Sequence, residues 1–184
     1  MSVSVRNVGL IFILALVSRA LVAQTPAHQA TRHLPAIDIK TLEGKLFNTS
    51  AFENKGKPII ISFWATWCKP CVNELVNISE VYPDWQKETG VKLIAVSIDD
   101  ARNSFKVQSF ANGKNWDYEV YLDPNKEFSN SLSVNNIPHT FLLDAHKNIV
   151  WQHNSYTEGE EKHLYELVKK LVAGESIHET APKN

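Results

Sequence analysis

The chain has 184 residues, 43% of them hydrophobic and 21% charged, which is the balance of one ordinary globular domain and not of a disordered chain. Nineteen Lys and Arg against 20 Asp and Glu leave a net charge of −1, without the basic excess that nucleic-acid binding demands, so no nucleic-acid partner is expected. Both cysteines fall in a single C-x-x-C, which excludes a multi-disulfide scaffold and a four-cysteine zinc site.

The chain begins with export grammar. Arg6 supplies a positive start, Val8–Val17 is an unbroken apolar run, and the small residues Ser18, Ala20 and Ala23 follow. A bilayer-spanning helix wants about 20 apolar residues, and Arg19 interrupts this run too early. Residues 1–23 are therefore expected to be a signal peptide or an uncleaved anchor, which places the protein in the periplasm. No cysteine is present there to carry a lipid. Residues 24–34 are polar, contain Pro26, His28 and His33, show no periodicity, and are expected to form a flexible tether.

A folded domain is predicted over residues 35–174, with a short tail at 175–184. Ile37 and Ile39 face Lys45–Phe47 across a Leu-Glu-Gly turn, which predicts a hairpin. Pro58–Phe63 is a continuous β-branched run, as in a strand covered on both faces. Cys71, Leu75, Ile78, Tyr82 and Trp85 then recur at helical spacing. Pro70 suits the first turn of that helix, Gly90 suits its end, and Pro83 should kink or break it. Val91–Ser97 is a second buried strand, so residues 58–97 form a βαβ unit with a right-handed crossover.

Beyond it, residues 102–112 read as a helix, Glu119–Leu122 as a short strand and Asn125–Leu132 as a short helix. Thr140–Leu143 and Ile149–Trp151 bracket a turn and predict a second hairpin. A final amphipathic helix follows, opened by a capping box at Thr157 and Glu160 and buried along Leu164, Leu167, Val168, Leu171 and Val172. The whole is an α/β fold, a central mixed sheet flanked by helices, with an N-terminal hairpin and an αβ segment inserted before the last hairpin.

The chemistry concentrates in Trp64–Cys71 (WATWCKPC), between the first central strand and its helix. Cys68 sits at the helix mouth, where unpaired N–H groups and the helix dipole favour a thiolate, and Lys69 adds a positive charge next to it. Cys71 lies one turn further, close enough to close a disulfide with Cys68 and less exposed. Its role is that of a resolving cysteine, attacking the mixed disulfide that Cys68 forms with a partner. A zinc knuckle would need two more ligands, and the histidines at 139, 146, 153, 163 and 178 offer no pair at ligand spacing. A purely structural bridge closing so small a loop would add little stability.

WATWCKPC after a buried strand resembles the thioredoxin superfamily, and within it the exported TlpA/ResA-type thiol–disulfide oxidoreductases, over residues 35–172. Val134–Asp144 (VNNIPHTFLLD) resembles the family's cis-proline strand. The resemblance implies that the Ile137–Pro138 bond is cis and that Ile137 faces the Cys68 sulfur. It also implies a partly buried acid at Glu74 that tunes the thiols or takes the proton of Cys71. Where the family often has proline two residues after that acid, this chain has Val76. Trp67 is expected to help wall the site and Lys69-Pro70 to tune its potential, while for His139, beside the cis-proline, a substrate contact is the less favoured reading. Asp99-Asp100 reads as a turn and helix cap.

No metal and no cofactor beyond the dithiol are expected. The resemblance implies a periplasmic reductase, with oxidised protein thiols as substrate and a membrane thiol as electron donor. Cytochrome c maturation is one candidate pathway. A disulfide oxidant or isomerase on the same fold and a non-catalytic thioredoxin-like binding module stay open. A peroxiredoxin fits poorly, because that family places threonine three residues before its cysteine, and Thr66 is two before Cys68.

Overall fold

The computed structural model describes Met1 and residues 32–177. The export segment at 1–23, most of the tether and the end of the tail lie outside the described residues. In chain order the strands are β1 Arg32–His33, β2 Asp38–Thr41, β3 Leu46–Asn48, β4 Ile59–Trp64, β5 Lys92–Ser97, β6 Glu119–Leu122, β7 His139–Leu143 and β8 Asn148–Asn154. The helices are α1 Lys69–Thr89, α2 Ser104–Gly113, α3 Glu127–Ser131 and α4 Glu160–Val172.

All eight strands join one mixed sheet in the order β1-β8-β7-β4-β5-β6-β2-β3. Every residue of β4 is buried, as its apolar run requires. Its backbone groups are satisfied by β5 in parallel on one side and by β7 antiparallel on the other. Ser62 and Trp64 of β4 look toward the helical face, where the Ser62 hydroxyl reaches Glu74 of α1 and the Trp64 ring meets Phe110 of α2. Tyr165 of α4 stacks on Trp85 of α1 on the same face. Phe63 points the other way, into Phe128 of α3 and Phe141 of β7.

Helix α1 follows from its apolar stripe: Cys71, Leu75, Ile78, Tyr82 and Trp85 are all buried, and Glu74 is buried with them. It ends at Gly90, whose φ of 70° is the left-handed conformation that glycine adopts without steric cost. Pro83 does not end it. The proline is exposed, and the flanking Tyr82 and Trp85 anchor the helix to the core on either side of the missing N–H.

The hairpin β2–β3 lies at one edge of the sheet, with β2 paired antiparallel to β6. The expected tether ends earlier than residue 34. Arg32 and His33 pair with β8, the Leu34 N–H reaches the Lys147 carbonyl at 3.0 Å, and Leu34 is buried. An apolar side chain with core to fill draws its neighbours onto the sheet edge. At α4 only one half of the expected capping box forms. The Glu160 carboxylate accepts the Thr157 N–H at 2.7 Å, but the helix starts after Gly159, whose φ is 101°. Leu164, Leu167 and Val168 fill the buried stripe, whereas Val172, in the last turn, is 40% exposed.

Phe63 packs against two aromatic rings with no access to water, so Phe63→Ala removes transfer energy and leaves a cavity. The expected loss is about 3–5 kcal/mol, read as a lower urea midpoint at unchanged m-value.

Candidate active site

The two cysteines are joined in a disulfide at the start of α1, which decides between the redox pair and half a zinc site. Cys68 is the N-cap of the helix: its sulfur accepts the Cys71 N–H at 3.3 Å, and its carbonyl accepts the Val72 N–H at 3.0 Å. Pro70 occupies the first turn, where its missing N–H leaves no partner wanting. Cys68 is 6% exposed and Cys71 is sealed at 0%. The cysteine at the helix mouth is thus the one an incoming disulfide can reach. Lys69 and Pro70 are exposed, and Trp67 is 67% exposed beside them, an apolar surface next to the sulfur.

The Ile137–Pro138 bond is cis. It immediately precedes β7, whose first residue His139 lies opposite Phe63 near the end of β4. The same end of β4 leads into Cys68, so strand register brings the proline turn and the cysteines to the same end of the two central strands β4 and β7. Pro138 is buried and Ile137 half-buried. His139 does not serve as a surface contact. Its ring is buried and stacked on Phe141 at 4.5 Å, and burial, aided by the Arg32 charge, lowers its pKa to about 4.

Glu74 is buried one turn beyond Cys71 on the same helix. Its carboxyl group accepts the Ser62 hydroxyl at 3.0 Å and the Thr140 hydroxyl at 2.7 Å. It therefore bridges α1, β4 and β7, the three elements that make the site. Burial pushes its pKa up to about 7, against the pull of the two hydroxyls and with some help from the negative charges of Glu160 and Glu161. A small cavity reaches Glu74 and Thr140 from the side of β8 and α4, lined also by His153, Tyr156 and Glu161.

Three further residues lie around the site: Ser62 and Thr140, which sequence reasoning had passed over, and Asp99, which it had read as a turn and cap residue. Ser62 and Thr140 stand in otherwise apolar strands, and a polar group buried there has to find a partner. Asp99 does not cap α2, whose N-cap Asn103 makes no side-chain cap bond; Asp100 instead ties the turn ahead of that helix, its carboxylate accepting the Arg102 and Asn103 N–H groups. Asp99 holds Thr66, two residues before Cys68.

Residues 30–152 match the AhpC/TSA family model. The chain belongs to the AhpC/TSA family. Among its relatives are the thiol–disulfide oxidoreductase ResA of Bacillus anthracis, 32% identical over 67% of this chain and 69% of that one, and ResA of Bacillus thuringiensis subsp. konkukian, 31% identical over 77% and 78%. A solved thioredoxin-like protein from Porphyromonas gingivalis is 50% identical and superposes with a TM-score of 0.70, covering 81% of this chain and 98% of its own. This AhpC/TSA protein has a thioredoxin-like fold and is a thiol–disulfide oxidoreductase of ResA type, with Cys68 and Cys71 as its pair.

Glu74 makes the stability of this AhpC/TSA protein depend on pH. Unfolded, a glutamate titrates near about 4.3; folded, Glu74 titrates at about 7. Between those values the folded state holds the extra proton, so its stability falls as pH rises through this window. In the disulfide form, the stability of Glu74→Gln relative to wild type should rise from pH 4 to pH 8, by up to roughly 3 kcal/mol. Urea unfolding at the two pH values measures it; a constant difference would show that Glu74 titrates normally.

Proposed function

We propose that the protein is an exported reductase of protein disulfides, acting in the periplasm and recharged by a membrane thiol donor. The observation that carries this reading is the buried Glu74 carboxyl on the cysteine helix, one turn beyond Cys71. A carboxylate there opposes thiolate formation at the pair, and strong disulfide oxidants are those whose reduced form is stabilised. A pair denied that stabilisation gives its electrons away. The apolar run near the N-terminus supports export. Reducing work in an oxidising compartment also calls for a dedicated electron supply.

In the reduced protein, the Cys68 thiolate attacks one sulfur of the substrate disulfide. A bond forms between Cys68 and that sulfur, and the other substrate sulfur leaves as a thiolate, which takes up a proton. Cys71 then gives its proton to Glu74 and attacks the Cys68 sulfur. The second substrate sulfur departs as a thiolate and takes up the proton that Glu74 accepted, and the Cys68–Cys71 disulfide closes. Two electrons and two protons have passed to the substrate, and the donor thiols return them. The exposed Trp67 beside Cys68 in the chain and the cis Ile137–Pro138 turn at the same end of β4 offer the surface where a protein substrate docks. Oxidised protein thiols fit this open surface, including the haem-attachment cysteines of cytochrome c. The Thr66 hydroxyl is engaged with Asp99, which counts against a peroxidase role for it.

Equilibration of the Cys68–Cys71 pair with a defined dithiol buffer tests the direction. A reductase gives a potential at or below about −250 mV, whereas a value near about −120 mV would make the protein a disulfide oxidant. Glu74→Gln, lacking the proton acceptor, should slow reduction of a protein disulfide by about a hundredfold at neutral pH, measured by stopped-flow mixing with the substrate in excess. An unchanged rate would remove Glu74 from the mechanism.

A further inference from the structure

The turn that delivers Cys68 is held from another strand. Thr66 donates its N–H to Asp99 Oδ2 at 2.8 Å and its hydroxyl to Asp99 Oδ1 at 2.7 Å. Asp99 Oδ2 also accepts the Ser97 hydroxyl at 2.8 Å, and the Asp99 N–H returns to Ser97 Oγ at 3.0 Å. Asp99 is 1% exposed. It follows β5 closely, and the Ile98 N–H meets the Trp64 carbonyl at 2.9 Å just before it. The Asp99 side chain thus carries the β4–β5 ladder past its last backbone bond, to the point where β4 leaves the sheet. From there the turn closes by the Cys68 N–H on the Ala65 carbonyl at 3.0 Å, and the Cys71 N–H reaches the Cys68 sulfur.

We propose that Asp99 is a positioning residue for the dithiol. By gripping both polar groups of Thr66, it fixes the turn so that the Cys68 sulfur lies where the first N–H groups of α1 reach it, and it thereby stabilises the Cys68 thiolate of the reduced protein. A buried carboxylate that accepts three hydrogen bonds is a stiff clamp, because bonds to an ionised acceptor are about twice as strong as neutral ones. The clamp is needed here because Ala65–Cys68 belongs to no strand or helix. The inference rests on dithiol chemistry at Cys68 and Cys71 and not on the direction of exchange.

Charge and position act with opposite sign, which makes the role testable. A negative charge near Cys68 disfavours its thiolate, whereas correct placement of the sulfur favours it. Asparagine keeps the contacts without the charge: its oxygen accepts from the Thr66 N–H and Ser97, and its amide donates to the Thr66 hydroxyl. Asp99→Ala loses both charge and contacts.

The experiment compares wild type, Asp99→Ala, Asp99→Asn and Thr66→Val. Two readouts are taken: the pH dependence of Cys68 alkylation by iodoacetamide, and the equilibrium in which protein disulfide and two glutathiones yield protein dithiol and glutathione disulfide. Asp99→Ala is expected to slow alkylation at neutral pH and to shift the equilibrium toward the protein disulfide by about tenfold, equivalent to about 30 mV. Thr66→Val should shift both in the same direction by less, and Asp99→Asn should stay at wild type or move both the opposite way, because the contacts remain and the opposing charge is gone. An Asp99→Asn protein that matches Asp99→Ala, whether both move or neither does, overturns the proposal. If Asp99→Ala does not fold, Thr66→Val decides, and wild-type behaviour there is the overturning result. A wild-type protein without a reversible couple would instead refute the dithiol reading beneath it.

Discussion

Strand β4 has water on neither face, and most of the molecule follows from that constraint. A buried strand must find backbone partners on both sides, and β5 and β7 supply them in opposite orientations. Its parallel neighbour requires a crossover, which is α1, and its antiparallel neighbour permits a short hairpin to β8. The loop leaving β4 and the turn entering β7 therefore lie at the same end of these two central strands. That is where Cys68 and the cis Ile137–Pro138 bond are found.

Burial also sets the terms for the polar groups around β4. Ser62 cannot reach solvent, so its hydroxyl goes to Glu74, and Thr140 from the neighbouring strand does the same. A carboxyl group sealed from water but supplied with two neutral donors is one that holds its proton to near neutrality. Asp99 is equally inaccessible, yet it spends its oxygens on the loop ahead of Cys68. Two buried acids thus lie close to one pair of cysteines: Glu74 with a raised pKa, and Asp99 bound to Thr66 in the loop ahead of Cys68. Outside these contacts the site is open, with Trp67, Lys69 and Pro70 exposed around the entrance to the sulfur.

Much of this was legible in the residues. The β-branched run of β4, the stripe from Cys71 to Trp85 and the C-x-x-C at the helix mouth are local patterns, and local patterns survive into the fold. Glu74 and the Ile137–Pro138 bond were reached through a family resemblance carried by short motifs. The misjudged positions share a cause. Arg32–Leu34 looked like tether, but Lys147 and β8, more than a hundred residues away, offered them a partner. Pro83 looked like a break, but core contacts on both sides outweighed one lost hydrogen bond.

By itself the sequence determined the order of elements and the reactive pair, because spacing along one helix or strand is a property of neighbouring residues. The tertiary structure alone decided which side chains from distant strands meet. Asp99 and Thr66 are 33 residues apart, and Thr140 and Glu74 are 66 apart. Whether such pairs touch depends on the register of β4 against β5 and β7, and a shift of one residue would turn every one of those side chains to the opposite face.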